Sequence, residues 1–190
     1  MAILVTGSTG SIGKQVLAHL AGEGVEVHAL ARAPEKTKFP DGVIPVKGDM
    51  TDVEAMRAAL ATTSTLFLLN AVVADEVTQS LITLNLAREA GVERIVYFSV
   101  LHSELYANVP HFTGKHTVER MIEQFDLPAT ILRPAYFIQN DVRLKDAVLG
   151  HGVYPMPIGD VGLSMVDTRD IGEVAARHLL RPSRRNGAST

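Results

Sequence analysis

The chain has 190 residues, of which 46% are hydrophobic and 21% charged, with a net charge of −3. That balance describes a globular chain of single-domain size, and it leaves no basic field for nucleic acid or an acidic membrane surface. It holds no cysteine, which excludes disulfides and thiolate metal sites and suits a reducing cytoplasm, and no apolar run approaches the roughly 18–20 residues of a membrane span.

Strand and helix patterns alternate from the start, with no leader expected before the first strand. Ala2-Ile3-Leu4-Val5 is the continuous apolar run of a central parallel strand covered on both faces. Ile12, Val16, Leu17 and Leu20 then recur at helical spacing, and Gly22 and Gly24 mark the stop. Val25–Leu30 reads as a second strand and Val43–Val46 as a third, which Pro45 assigns to an edge. Thr51 or Asp52 caps a helix over about 53–61, with Glu54 near its positive end. Thr65–Leu69 is a buried fourth strand. A long helix follows over about 75–90, with Val77, Leu81, Leu84 and Leu86 toward the core and Gly91 closing it. Arg94–Phe98 is a fifth strand, 116–125 a helix, Ala129–Leu132 a sixth strand, and 170–180 a final helix with Asp170 as its cap. Residues 1–180 thus form one domain, and 181–190 read as a flexible tail. The alternation predicts an α/β, Rossmann-type doubly wound parallel sheet of about six strands, with a ligand where the strand order reverses.

The turn after the first strand carries the chemistry. Gly7 permits a tight bend, Gly10 lets a pyrophosphate approach the backbone, and Gly13 allows close helix–strand contact. Ser8, Thr9, Ser11 and Ile12 complete a loop whose amide hydrogens and helix dipole favour an anion. At the end of the second strand, Ala31-Arg32-Ala33 stands where a carboxylate would accept from a ribose hydroxyl. Arg32 instead offers a fork of donors suited to a 2′-phosphate, with Lys36 and Lys38 nearby, which favours NADP(H) over NAD(H); the alternative is a solvated surface arginine. Asp49 and Met50 follow the third strand, where the carboxyl can accept from an adenine amine and the thioether cover the ring, unless Asp49 serves only its turn. Asn70, after the fourth strand, suits a ribose or its own backbone. The seven histidines show no metal-ligand spacing.

By these residues the chain resembles the NmrA-like group of atypical short-chain dehydrogenase/reductases. Thr6–Gly13, Ala31-Arg32, Gly48-Asp49, Gly91–Ser99, Lys115 with Glu119, Leu132–Asn140 and Val166–Ile171 carry the resemblance, which covers roughly Ile3 to Leu180. It implies an NAD(P)-binding fold, usually preferring NADPH, in a reductase or a redox-sensing regulator. Orthodox members of the wider family use a serine, a tyrosine and a lysine four residues after the tyrosine to exchange a proton as hydride moves. Here Ser99 matches the serine and Lys115 the lysine, but the tyrosine slot holds His111, and Tyr106 is out of phase. Histidine can donate a proton near neutral pH, so His111, Lys115 and Ser99 are the candidate catalytic set, against the alternatives of loop, helix-start and strand-end residues. Lys115 is also a candidate cofactor contact. The resemblance places Pro134 against the nicotinamide, and Tyr136, Phe137 and Asn140 beside it in a substrate wall, although Phe137 fits plain core packing better. His102, three residues after Ser99, is expected at the same cleft; hydrolysis by a Ser–His pair lacks the Gly-x-Ser-x-Gly elbow.

Members of that group usually continue past the position of Leu180, so the resemblance implies an abbreviated C-terminal substrate lobe. A homodimer or a protein partner is one way to complete it. Two functions stay open: an NADPH-dependent reductase of a small carbonyl, quinone or similar acceptor, and a non-catalytic NADP(H)-binding regulator.

Overall fold

Four consecutive apolar residues make up β1 (Ala2–Val5), and all four are buried, so the strand sits inside a sheet with a layer on each face. The computed structural model describes residues 2–181. After β1 come α1 (Ser11–Leu20), β2 (Glu26–Ala31), β3 (Val43–Lys47), α2 (Val53–Leu60), β4 (Thr65–Leu68), α3 (Glu76–Glu89), β5 (Arg94–Phe98) and α4 (Pro110–Gln124). The chain continues through β6 (Ala129–Leu132), β7 (Tyr136–Phe137), a 3-10 stretch (Ile138–Leu144), α5 (Lys145–His151), β8 (Met165–Val166) and α6 (Thr168–Leu180). Six strands pair in parallel in the order β3-β2-β1-β4-β5-β6, and β3, which contains Pro45, lies at an edge. The strand order reverses between β1 and β4.

Side chains leave a strand alternately to its two faces, and the core divides accordingly. Leu4, Leu66, Leu68, Ile95 and Tyr97 pack with Met56, Leu84 and Val118 from α2, α3 and α4. Ile3, Val5, Phe67, Val96 and Phe98 pack with Val16 and Leu17 of α1 and with Ile171 and Ala175 of α6. The chain is therefore doubly wound, with helices on both faces of the sheet.

Three features depart from the sequence expectation. α4 begins at Pro110, not at 116, because proline at the first helical position is pre-set for a helix and needs no amide partner there. α6 is capped by Asp167, whose side chain accepts from the Arg169 amide at 2.8 Å; Asp170 lies in the first turn and is not the cap. β7 and β8 form a separate two-stranded parallel pair, steadied by Tyr136 and Tyr154, whose hydroxyls donate to the two oxygens of Asp141 at 3.0 and 2.9 Å. As expected, a cap from Asp52 starts α2, accepting from the Glu54 and Ala55 amides, both at 3.1 Å. Of the expected tail, residues 182–190 lie outside the described residues. No helix among the described residues is long and apolar enough to cross a membrane.

Candidate active site

With α1 carried to one face and α3 to the other, the carboxyl ends of β1 and β4 part and leave a crevice. Thr6 clasps its base: its hydroxyl donates to Leu69 O at 2.7 Å and accepts from Leu69 N at 2.9 Å. Above it opens a cleft of about 350 Å³, within the range of small-molecule sites. One wall is the glycine loop, from which Gly7, Thr9, Gly10, Ser11 and Ile12 face the space.

The loop is built as a cradle. Gly7 has φ +59°, a left-handed conformation that favours glycine. A Cβ on Gly13 would lie 2.2 Å from Gly7 O and 2.7 Å from Ser8 Cα, so only a residue without a side chain lets the helix start against the strand end. Gly10 caps α1 with no side chain to satisfy the first-turn amides, and that turn holds no acidic residue. Unfilled donors at the positive end of a helix, beside a cleft, suit the diphosphate of a dinucleotide.

The opposite wall comes from β4, β5 and α4. On α4, His111, Lys115 and Glu119 recur every four residues and so share one face. Lys115 lines the cleft while only 3% exposed. Its Nζ donates to Asn70 Oδ1 at 3.3 Å and lies 5.3 Å from the centre of the Tyr97 ring. Burial pulls the amine down to about 8, against the opposing pull of the Glu76 carboxyl group. Asn70 is itself tied down, its Nδ2 donating to Glu76 O at 2.6 Å. His111 also faces the cleft, and its Nδ1 lies 2.9 and 3.0 Å from the two carboxyl oxygens of Glu76.

Ser99 reaches the cleft wall, but its hydroxyl donates to Glu119, which also takes a two-pronged bond from Arg133 at 3.1 and 2.8 Å. Burial pushes the Glu119 carboxyl up, yet the bonds from Arg133 and Ser99 outweigh it and hold the group below its usual range. The Ser99 proton is thereby committed to a carboxylate and is not free for a substrate oxygen.

Other expected residues divide. Pro134 and Phe137 line the cleft. Arg32 is exposed at the end of β2, close enough to Asp49 to help lower that carboxyl, whose main partner is the Thr51 hydroxyl; both stand outside the cleft walls. Met50 does not cover an open ring site: it is 9% exposed and packs in the core with Leu30 and Met56. Ser8 turns inward, donating to Leu30 O at 2.6 Å, so its side chain ties the loop to β2. His102 departs from expectation too, because a left-handed backbone (φ +59°) turns it to a second cavity beside Glu104, His116 and Arg133. Tyr136 and Asn140 do not line the cleft, the former being held by Asp141. Glu76 went unnoticed in the sequence; it lies 35 residues from His111, and no local pattern joins them.

The NmrA-like family model matches residues 1–189. The chain is 27% identical to an NAD(P)H azoreductase of Xenophilus azovorans, over 98% of this chain and 66% of that one. It is 31% identical to a (4-alkanoyl-5-oxo-2,5-dihydrofuran-3-yl)methyl phosphate reductase of Streptomyces griseus, over 93% of this chain and 62% of that one. The crystal structure of an Escherichia coli NADPH-dependent quinone oxidoreductase in complex with NADPH superposes with a TM-score of 0.83 at 26% identity, covering 94% of this chain and 64% of that one. The chain thus spans less than two thirds of the length of these relatives.

Proposed function

The chain belongs to the NmrA-like family, and from that premise we propose that it is an NADPH-dependent reductase of a small carbonyl, quinone or similar electron acceptor. The observation that carries this reading is the cleft itself, in which a glycine-rich anion cradle faces Lys115, Asn70 and His111 across one small cavity. The names of the three relatives given above, two reductases and an NADPH-dependent quinone oxidoreductase in complex with NADPH, support it.

In this reading the amides of the Gly7–Gly13 loop hold the diphosphate, and Lys115 and Asn70 hold the ribose next to the nicotinamide. Arg32 grips the 2′-phosphate and gives NADP(H) its preference over NAD(H), with Asp49 at the adenine end. NADPH, when bound, supplies a hydride. The chain supplies the rest: Phe98, Phe137 and Pro134 form a mainly apolar wall that excludes water, and His111 gives a proton to the acceptor oxygen. We set this activity in the cytoplasm, in one domain over 1–180. Val142, Leu149 and Val161, all exposed on the segment that connects β7 to β8, support a homodimer or a protein partner.

The test is NADPH oxidation with a panel of quinones and aldehydes. Wild type is expected to turn over at least one acceptor, and Lys115→Ala to lose at least about tenfold in kcat/KM. A second reading, an NADP(H)-binding regulator without turnover, is favoured by the engagement of Ser99 with Glu119. Saturable binding of both NADP+ and NADPH with no oxidation by any acceptor selects it.

A further inference from the structure

Resting on the reductase reading, we propose that Glu76 is a positioning residue of the reaction: it holds His111 so that Nε2 is the atom that delivers the proton. Glu76 opens α3 and is only 6% exposed, yet both its carboxyl oxygens lie within 3.0 Å of His111 Nδ1. A carboxylate can only accept, so Nδ1 carries the hydrogen and Nε2 is left to exchange a proton. Three further features favour this pairing. The ring of Phe112 stands edge-on to His111, with centroids 6.0 Å apart. Gly114 lets α3 approach α4, since a Cβ there would lie 3.0 Å from both Glu76 Oε1 and Val77 Cγ2. Asn70 bonds the Glu76 backbone with one end of its amide and Lys115 with the other, so the first turn of α3 is tied to the lysine.

Other elements bring no second carboxyl group to the ring among the described contacts. Lys115 lies one turn along α4, and Tyr97 of β5 keeps its proton, pushed up by burial and by Glu76. Ser99, the orthodox donor, spends its hydrogen on Glu119. The balance is that of a two-electron reduction. A hydride from NADPH, which leaves as NADP+, forms a bond to the acceptor, and the acceptor oxygen takes one proton. The Nε2–H bond of the imidazolium breaks with its electron pair staying on nitrogen, the O–H bond forms, and solvent recharges the ring. Glu76 accepts from Nδ1–H before and after transfer, so the ring keeps its orientation and is left as the Nδ1–H tautomer.

Steady-state kinetics with NADPH and a naphthoquinone or an aldehyde, on wild type, Glu76→Gln, His111→Phe and the double variant, test this. Glu76→Gln is expected to lower kcat about tenfold with the KM for NADPH little changed, and to cause no further loss in the His111→Phe background. Nitrogen NMR of histidine-labelled, cofactor-free protein is a second readout, independent of turnover and of any variant: the neutral His111 ring should carry its hydrogen on Nδ1. A ring with hydrogen on Nε2, an unchanged kcat, or an equal loss in the His111→Phe background overturns the role of Glu76 while the reductase reading stands. Absence of wild-type turnover with every acceptor overturns that reading, and this role with it.

Discussion

Lys115 sits almost wholly out of water with one hydrogen-bond partner, Asn70, at 3.3 Å and no carboxylate within ion-pair distance among the described residues. That placement favours a donor ready for a ribose hydroxyl and disfavours folding. Its amine is pulled down to about 8 from an ordinary 10.5, chiefly by burial. The sign follows from proton counts. Below pH 8 the ammonium is charged in both states, and the native state bears the full burial cost, about 3 kcal/mol for a shift of this size. Between pH 8 and 10.5 the unfolded chain holds a proton that the native chain has shed, so this group makes stability rise with pH. Lys115→Met is therefore expected to unfold at higher urea than wild type at pH 7, by roughly 1–3 kcal/mol, with the gap closing by pH 10. A gap that is absent, or constant across that range, contradicts this account of Lys115. The lysine was legible in the sequence as a slot four residues after His111. Its burial was not, because burial depends on Tyr97 and Asn70 from two other elements. Glu76 was hidden for the same reason, and so were the partners of Glu119, which the sequence marks only as a residue of the family resemblance: each meets its partner through tertiary packing.

At the scale of elements, the site depends on how two helices begin. α1 starts where Gly13 touches Gly7, and α4 starts at Pro110, early enough to put both His111 and Lys115 on its cleft-facing side. Gly13→Ala would force a methyl to within 2.2 Å of a backbone oxygen, which no side-chain rotation relieves. This variant is expected to lose about 3 kcal/mol of stability in urea denaturation and its affinity for NADPH in titration. Stability and binding both within error of wild type would show that the loop relaxes and is no cradle. The glycine loop could be read directly because strand, spacing and helix lie within about a dozen residues. The start of α4 was misplaced because Gly114 and the polar residues around it weaken the helical pattern before Val118. α6 begins two residues before the expected 170, because Asp167 caps it and Asp170, a residue type that caps as well, falls inside the first turn.

For the whole molecule, the sheet order follows from alternating buried strands and helices, a periodic signal that survives in one sequence. The β7–β8 pair and α5 left no such signal, since two-residue strands have no period and α5 has only seven residues. Of these elements only β7 reaches the cleft, and it does so through Phe137 alone; Tyr136 beside it is held by Asp141, and Asn140 lies in the 3-10 stretch beyond. The central claim is that the crevice between β1 and β4 holds a phosphorylated dinucleotide. Calorimetric titration of the wild-type chain with NADPH and with NADH tests it most directly, with Arg32→Ala as the control. The expected result is one site per chain, with NADPH about tenfold tighter than NADH and that advantage largely lost in Arg32→Ala, as for a charge-assisted contact discounted for exposure. No saturable heat with either dinucleotide would contradict the account.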